Sequence, residues 1–322
     1  MGWDVTKLGA ALGMALATVA GAGACAGGSA PCRVGADCPS GVCLADGRCA
    51  PRDGGTRDAG SMPMEDASVP RDDASTPVDA FVPPVDGGPP GCGDGDGVIT
   101  ARELPLPVGE TLGVRVATSV SVDTAGVTRA DGTRLWDLEG PFTGDADGAQ
   151  VRTSVEGTWF ASAFAGASYA LPLSTEDSLL GVFERTDEAL LLRGIVSPEG
   201  GLTRTELRYD PPVAVWRFPL EVGRAWDERT TVSGVASGVV TAYSERWQVS
   251  VDARGALGTP AGVRDVVRVS TLITRTVGVS VTPYRRLAFV EECVGTVGQV
   301  FGSAGVSSAE PSFASELWRV AR

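Results

Sequence analysis

The chain contains no histidine and no asparagine, and its single lysine is Lys7. These absences exclude Ser–His and Cys–His nucleophile pairs. They also exclude zinc sites built from three His or from His₂Glu. N-linked glycosylation has no acceptor. Because Lys7 lies in a segment expected to be removed, a Schiff-base lysine is excluded as well. Acid chemistry would remain, such as the carboxylate pair of a glycoside hydrolase. Glu206, Asp210, Glu221, Asp227, Glu291 and Glu292 are available for it. No pair stands out, and neighbours such as Glu291 and Glu292 would point to opposite faces of a strand. No catalytic residue is therefore expected, and a His-independent carboxylate hydrolase is the minor alternative.

Basic surface is also scarce. The formal net charge is −13, and residues 51–103 hold eleven acids against four arginines. Nucleic-acid binding needs a basic footprint, so that partner is excluded. Long apolar runs are missing too. The one candidate, Leu8–Ala22, is too short and too rich in Gly and Ala to span a bilayer well.

That apolar run follows Lys7 and ends in Ala22-Gly23-Ala24-Cys25. It resembles the lipobox of bacterial lipoproteins, in which small residues precede a cysteine that is acylated and becomes the new N-terminus. The resemblance implies a signal peptide over 1–24, lipidation at Cys25 and membrane attachment through two or three acyl chains. At about 0.8 kcal/mol per buried methylene these anchor a protein stably. Ala26 stands where an Asp often marks inner-membrane retention, so the resemblance implies the outer membrane of the cell envelope, facing the periplasm or the surface. An ordinary secretory signal with Cys25 free is the alternative.

Six more cysteines follow. Export implies an oxidising compartment, so pairs are expected. Cys32, Cys38, Cys43 and Cys49 have C-x5-C-x4-C-x5-C spacing. So short a segment buries no core and calls for two disulfides, in any of three connectivities; a zinc site is the alternative. The text CRVGADCPSGVCLADGRC resembles short Cys-rich modules of myxobacterial-type lipoproteins. Cys92 and Cys293 remain and flank the C-terminal region, where they are expected to pair; a reactive thiol is the alternative. Between module and domain, residues 50–91 are rich in Pro, Asp, Gly, Ser and Ala. Such a segment does not offset its ordering entropy and reads as a disordered acidic linker. It would span about 35 Å as a coil and up to about 120 Å as polyproline II.

The linker gives way to CGDGDGVITARE, residues 92–103. Set against an EF-hand loop, Asp94, Asp96 and Glu103 fall at ligand positions, which makes Ca²⁺ the one cofactor to consider. Cys92 stands at the first ligand position, and Pro89-Pro90-Gly91 forbids the usual preceding helix. A capped Asp-Gly turn pinned by the disulfide is the competing reading.

Residues 92–322 then read as one β-rich domain. Val114, Val116, Val120 and Val122 share a parity, as do Val239, Tyr243, Trp247, Val249 and Val251. Val267, Val269, Ile273, Val277, Val279 and Val281 do likewise. Alternation of this length means half-buried antiparallel strands. Asp131-Gly132 reads as a hairpin turn, and Leu179–Val196 as a hairpin turning near Thr186–Glu188. The expected fold is all-β: a mostly antiparallel curved sheet, half-barrel or sandwich. Three stretches, Phe218–Trp226, Thr259–Gly262 and Gly295–Val297, resemble the recurring text of poorly characterised bacterial envelope domains of curved-sheet or half-barrel type. Some proteins of that shape carry lipids or lipoproteins in the concave face, so the resemblance implies an apolar groove. Trp136, Trp159, Trp216, Trp226, Trp247 and Trp318 would pack the core or line such a groove.

The leading expectation is a membrane-tethered, non-catalytic display module for an unknown envelope protein. The alternative is a carrier of an apolar ligand in a cupped sheet, and it requires a cavity lined by Trp and Val.

Overall fold

The computed structural model describes residues 92–174 and 178–321. The signal peptide 1–24, lipidation at Cys25, the module with Cys32, Cys38, Cys43 and Cys49, and the linker 50–91 lie outside the described residues. Fourteen strands follow in order. They are β1 Thr111–Ser121, β2 Val127–Thr128, β3 Arg134–Asp137, β4 Ala146–Val151, β5 Tyr169–Pro172, β6 Leu180–Arg185 and β7 Ala189–Val196. The rest are β8 Glu206–Arg217, β9 Ala225–Ala236, β10 Val239–Thr259, β11 Gly262–Val277, β12 Ser280–Glu291, β13 Gly295–Phe301 and β14 Phe313–Val320.

Turn chemistry sets the hairpins. Asp131 accepts from the Thr133 N–H at 2.9 Å, and Thr186 Oγ1 accepts from the Ala189 N–H at 3.0 Å, as the two expected hairpins require. Pro260-Ala261 turns β10 into β11, with Thr259 opposite Gly262. One expectation fails. Val279 and Val281 do not continue the buried face of Val267–Val277, because Val277 pairs with Ser280 around a Gly278-Val279 turn. Gly278 takes a positive φ of 57° there, a conformation that glycine adopts at no steric cost.

Twelve strands form one antiparallel path, β4-β1-β14-β13-β12-β11-β10-β9-β8-β7-β6-β5. Its two ends meet at a bridge between Thr153 and Ala170, where each N–H donates to the other carbonyl at 2.9 Å. The result is a nearly closed half-barrel. β2 and β3 leave the path and lie against β10, β3 running parallel to it.

Two large cores occupy the two faces of this sheet, and a third, smaller one joins Phe160 and Phe164 to Ala170, Val182 and Val196 of β5–β7. The inner core joins opposite walls, with Tyr169, Leu190 and Trp216 on one side and Val269, Ala288 and Trp318 on the other. The outer core lies under the β2–β3 segment and includes Trp136, Leu257, Phe289 and Leu317. Strands between two cores read as near-continuous apolar runs, as in Leu287–Val290, all buried. Val114 and Val116 belong to the inner core, whereas Val120 and Val122 belong to the outer one. Their shared parity therefore does not give a shared face. Ser119, at φ 54°, breaks the pleat between the two pairs.

The chain enters through Cys92, which is disulfide-bonded to Cys293 in the β12–β13 turn, a sequence separation of 201. On chain-entropy grounds a closure of that length contributes about 4–5 kcal/mol. Ile99 then bridges to Leu220, and Ile99 and Leu104 bury themselves in the inner core. The entry segment thus packs into the barrel.

Candidate functional site: the barrel lumen

The inner core does not fill the barrel. A partly enclosed cavity of about 100 Å³ remains, and its walls include Leu112, Leu171, Trp216, Trp247, Val269 and Trp318. Three of the six tryptophans named from the sequence thus border a cavity. Trp136 instead belongs to the outer core, and Trp159 and Trp226 are half-buried away from the cavity.

Register explains the shape of the wall. Arg286 pairs with Thr271 across the β11–β12 ladder. One inward row further on, Val269, Ala288, Gln299 and Trp318 run side by side to Val116. Val114 belongs to the next row, and Leu112 lies beside Gln150 in the one after. First and last rows are six residues apart, about 20 Å of strand at 3.3 Å per residue. The lumen is therefore elongated, mostly apolar in its middle, where Gln299 is the polar exception, and polar at its two ends.

At one end stands Arg286. It is half-buried and borders the cavity. It sits 5.1 Å from the Phe301 ring centroid and, among the described residues, donates no hydrogen bond and joins no ion pair. Burial pushes its pKa down to about 10, with Glu316 and Tyr209 acting weakly the other way, so it stays a cation at neutral pH. At the other end stands Gln150, only 9% exposed, whose amide oxygen and nitrogen both lack a partner. Beside it Arg152 is already engaged, by Glu110 and by the Val294 carbonyl at 3.0 Å.

Two buried carboxylates escaped the sequence reading. Glu316 accepts from Ser174 Oγ at 2.6 Å and from the Trp318 indole. Glu245 accepts from the Trp247 indole at 2.9 Å and pairs with Arg275 at 2.9 Å. The signal was a repeated Glu-x-Trp, since residues i and i+2 of a strand share a face. Burial alone would lower the Arg275 pKa, but Tyr243 and Glu245 outweigh it and hold it above its usual value. Of the carboxylates considered from the sequence, Glu206 pairs with Arg208, Asp227 with Arg246 and Glu291 with Arg264.

The Asp-Gly entry loop departs from the EF-hand expectation. Asp94 and Asp96 do come together, but their third neighbour is Glu292, not Glu103. Glu103 turns back onto Thr100, accepting from its N–H and its hydroxyl at 2.8 Å each. Glu292 accepts from the Gly95 N–H at 3.1 Å because Cys293 is tied to Cys92. An exposed trio of carboxylates does not by itself define a cation site.

No family model matches the chain, and no curated protein or solved structure is significantly similar to it. Fold and lumen therefore define the class on their own: a disulfide-closed antiparallel half-barrel with an elongated, tryptophan-lined interior.

Proposed function

We propose that this protein is a membrane-tethered lipoprotein of the cell envelope whose barrel carries a small apolar ligand. Attachment is through Cys25 in the outer membrane, with the linker holding the barrel off the surface. One observation supports the carrier reading above the others: the inner face keeps a Trp- and Val-lined lumen where a purely structural domain would pack solid. The reading involves no catalysis, only reversible burial of apolar surface at about 25 cal/mol per Å².

Ala288→Phe tests it by placing a ring in the lumen. Titrated with 1-octanol and followed by tryptophan emission, the wild-type chain is expected to saturate. The variant is expected to show no response while melting at or above the wild-type temperature. A wild-type chain that never responds, or a variant that responds equally, overturns the reading.

A second reading, a display module that docks an envelope protein, has one observation in its favour. Leu202, Val239, Val240, Val279 and Val281 are all exposed. They sit at or beside the β7–β8, β9–β10 and β11–β12 turns, at one end of the sheet. Filling the lumen would leave that surface untouched.

A further inference from the structure

We infer that the lumen takes its ligand as an anion, a single-chain carboxylate whose head meets the Arg286 guanidinium and whose tail lies along the tryptophan-lined wall. The inference rests on the carrier reading and names the ligand class of the same site.

A guanidinium presents its donors in one plane, matched to the two oxygens of a carboxylate. The Phe301 ring, 5.1 Å from the guanidinium carbon, is not a carboxylate or carbonyl acceptor, and no hydrogen bond from those donors is found among the described residues. Among the described residues, no carboxylate fills the role. Glu316, the strongest negative influence on Arg286, is held by Ser174 and Trp318 and lies across the intervening Phe301 in the register. A buried cation without a hydrogen-bonded partner is expensive, and an incoming carboxylate removes that expense. Gln150 makes the two ends of the lumen unlike. Its unpartnered amide is polar but neutral, so it does not compete for an anionic head, and an amphiphile enters with one orientation.

Volume limits the tail. At about 10–15 Å³ per enclosed probe sphere, the cavity of about 100 Å³ holds about seven to ten heavy atoms. A medium-chain acid fits, and a two-chain phospholipid does not.

The test compares octanoate, 1-octanol and octylammonium on the full chain carrying Cys25→Ser, which removes the acylation site and the need for detergent. Octanoate is expected to bind about ten- to hundredfold more tightly than octanol, as charge-assisted hydrogen bonds require, and octylammonium most weakly. Arg286→Met keeps the apolar stem and is expected to bring octanoate down to the octanol level. Arg286→Lys retains the charge without the planar fork and is expected to fall between. Equal wild-type affinities for octanoate and octanol, or a preference that survives in Arg286→Met, overturn the anionic assignment and leave the carrier reading standing. Failure of all three probes to bind removes both. The wild-type comparison needs no variant, so a misfolded substitution does not rescue the proposal.

Discussion

The two faces of the sheet from β10 to β14 are built to different standards. On the outer face, Arg268 is spent completely. Both Asp252 oxygens accept from it at 2.9 Å, Glu310 accepts at 2.8 and 2.9 Å, the Thr124 carbonyl accepts at 2.6 Å, and the Trp136 ring lies 5.4 Å away. Burial acts to lower its pKa, yet the paired carboxylates hold it above the usual value. Trp136 itself is fully buried, edge-on to Phe289 at 5.1 Å, and donates to the Thr124 carbonyl at 3.0 Å. On the inner face, on the neighbouring strand, Arg286 has a ring and no acceptor, Gln150 has neither donor nor acceptor, and a lumen persists. On these strands Arg268 is fully paired where it closes the outer core, whereas the buried Arg319 on β14 meets Asp145 and leaves Nε and one Nη without a partner. Arg286 borders the lumen, from which a ligand could supply the contacts it lacks.

Substitutions on the two faces should separate them. The largest effect is expected from Trp136→Ala, which empties a filled outer core and costs about 3–5 kcal/mol in urea unfolding. Trp216→Ala, on a wall that already borders the lumen, should cost clearly less. Equal losses would erase the distinction.

The arginines should differ in sign. Arg268→Met strands two carboxylates and is expected to destabilise by about 3 kcal/mol. Arg286→Met is expected to stabilise, because burial depresses the Arg286 pKa to about 10, well below its usual value, which corresponds to about 3 kcal/mol. Between the depressed and the usual value the unfolded chain binds more protons than the folded one, so wild-type stability rises with pH across that window. The advantage of Arg286→Met is therefore full below pH 10 and shrinks above it. An advantage that is flat from pH 7 to pH 11 would show that the buried charge is not its source. The smallest effect belongs to neither face: Asp227→Ala breaks an exposed pair with Arg246, and its melting temperature should match wild type within error, as exposed pairs generally do.

Alternation made the strands legible wherever one face meets water. Tyr243, Trp247, Val249 and Val251 are all buried, as their parity requires, whereas Val239, beside the β9–β10 turn, is exposed. It faltered where local backbone geometry overrides period two. Ser119 moves Val120 and Val122 to the other core, and Gly278 ends a strand that the valines alone would prolong. Closure of the sheet was not readable, because it depends on Thr153 meeting Ala170 across the whole barrel. The disulfide was readable, since only Cys92 and Cys293 flank the domain. Arg286 was not, because one arginine among many carries no mark of where it points. Glu103 was preferred to Glu292 for the acidic loop because spacing along the chain was visible and the proximity imposed by a distant cystine was not.

That cystine also decides how the domain bears load. Tension arriving along the chain from the residues before Cys92 would otherwise reach the barrel through its N-terminal strand and peel β1 from β14 one hydrogen bond at a time. With Cys92 bonded to Cys293, the force passes directly into the β12–β13 turn, in the interior of the strand order. There it pulls on a hairpin flanked by β11 and β14, whose ladders must yield together. The lumen lies behind those strands, so a pull on the segment before Cys92 is borne by the wall that holds Arg286, and β1 is left out of the line of force.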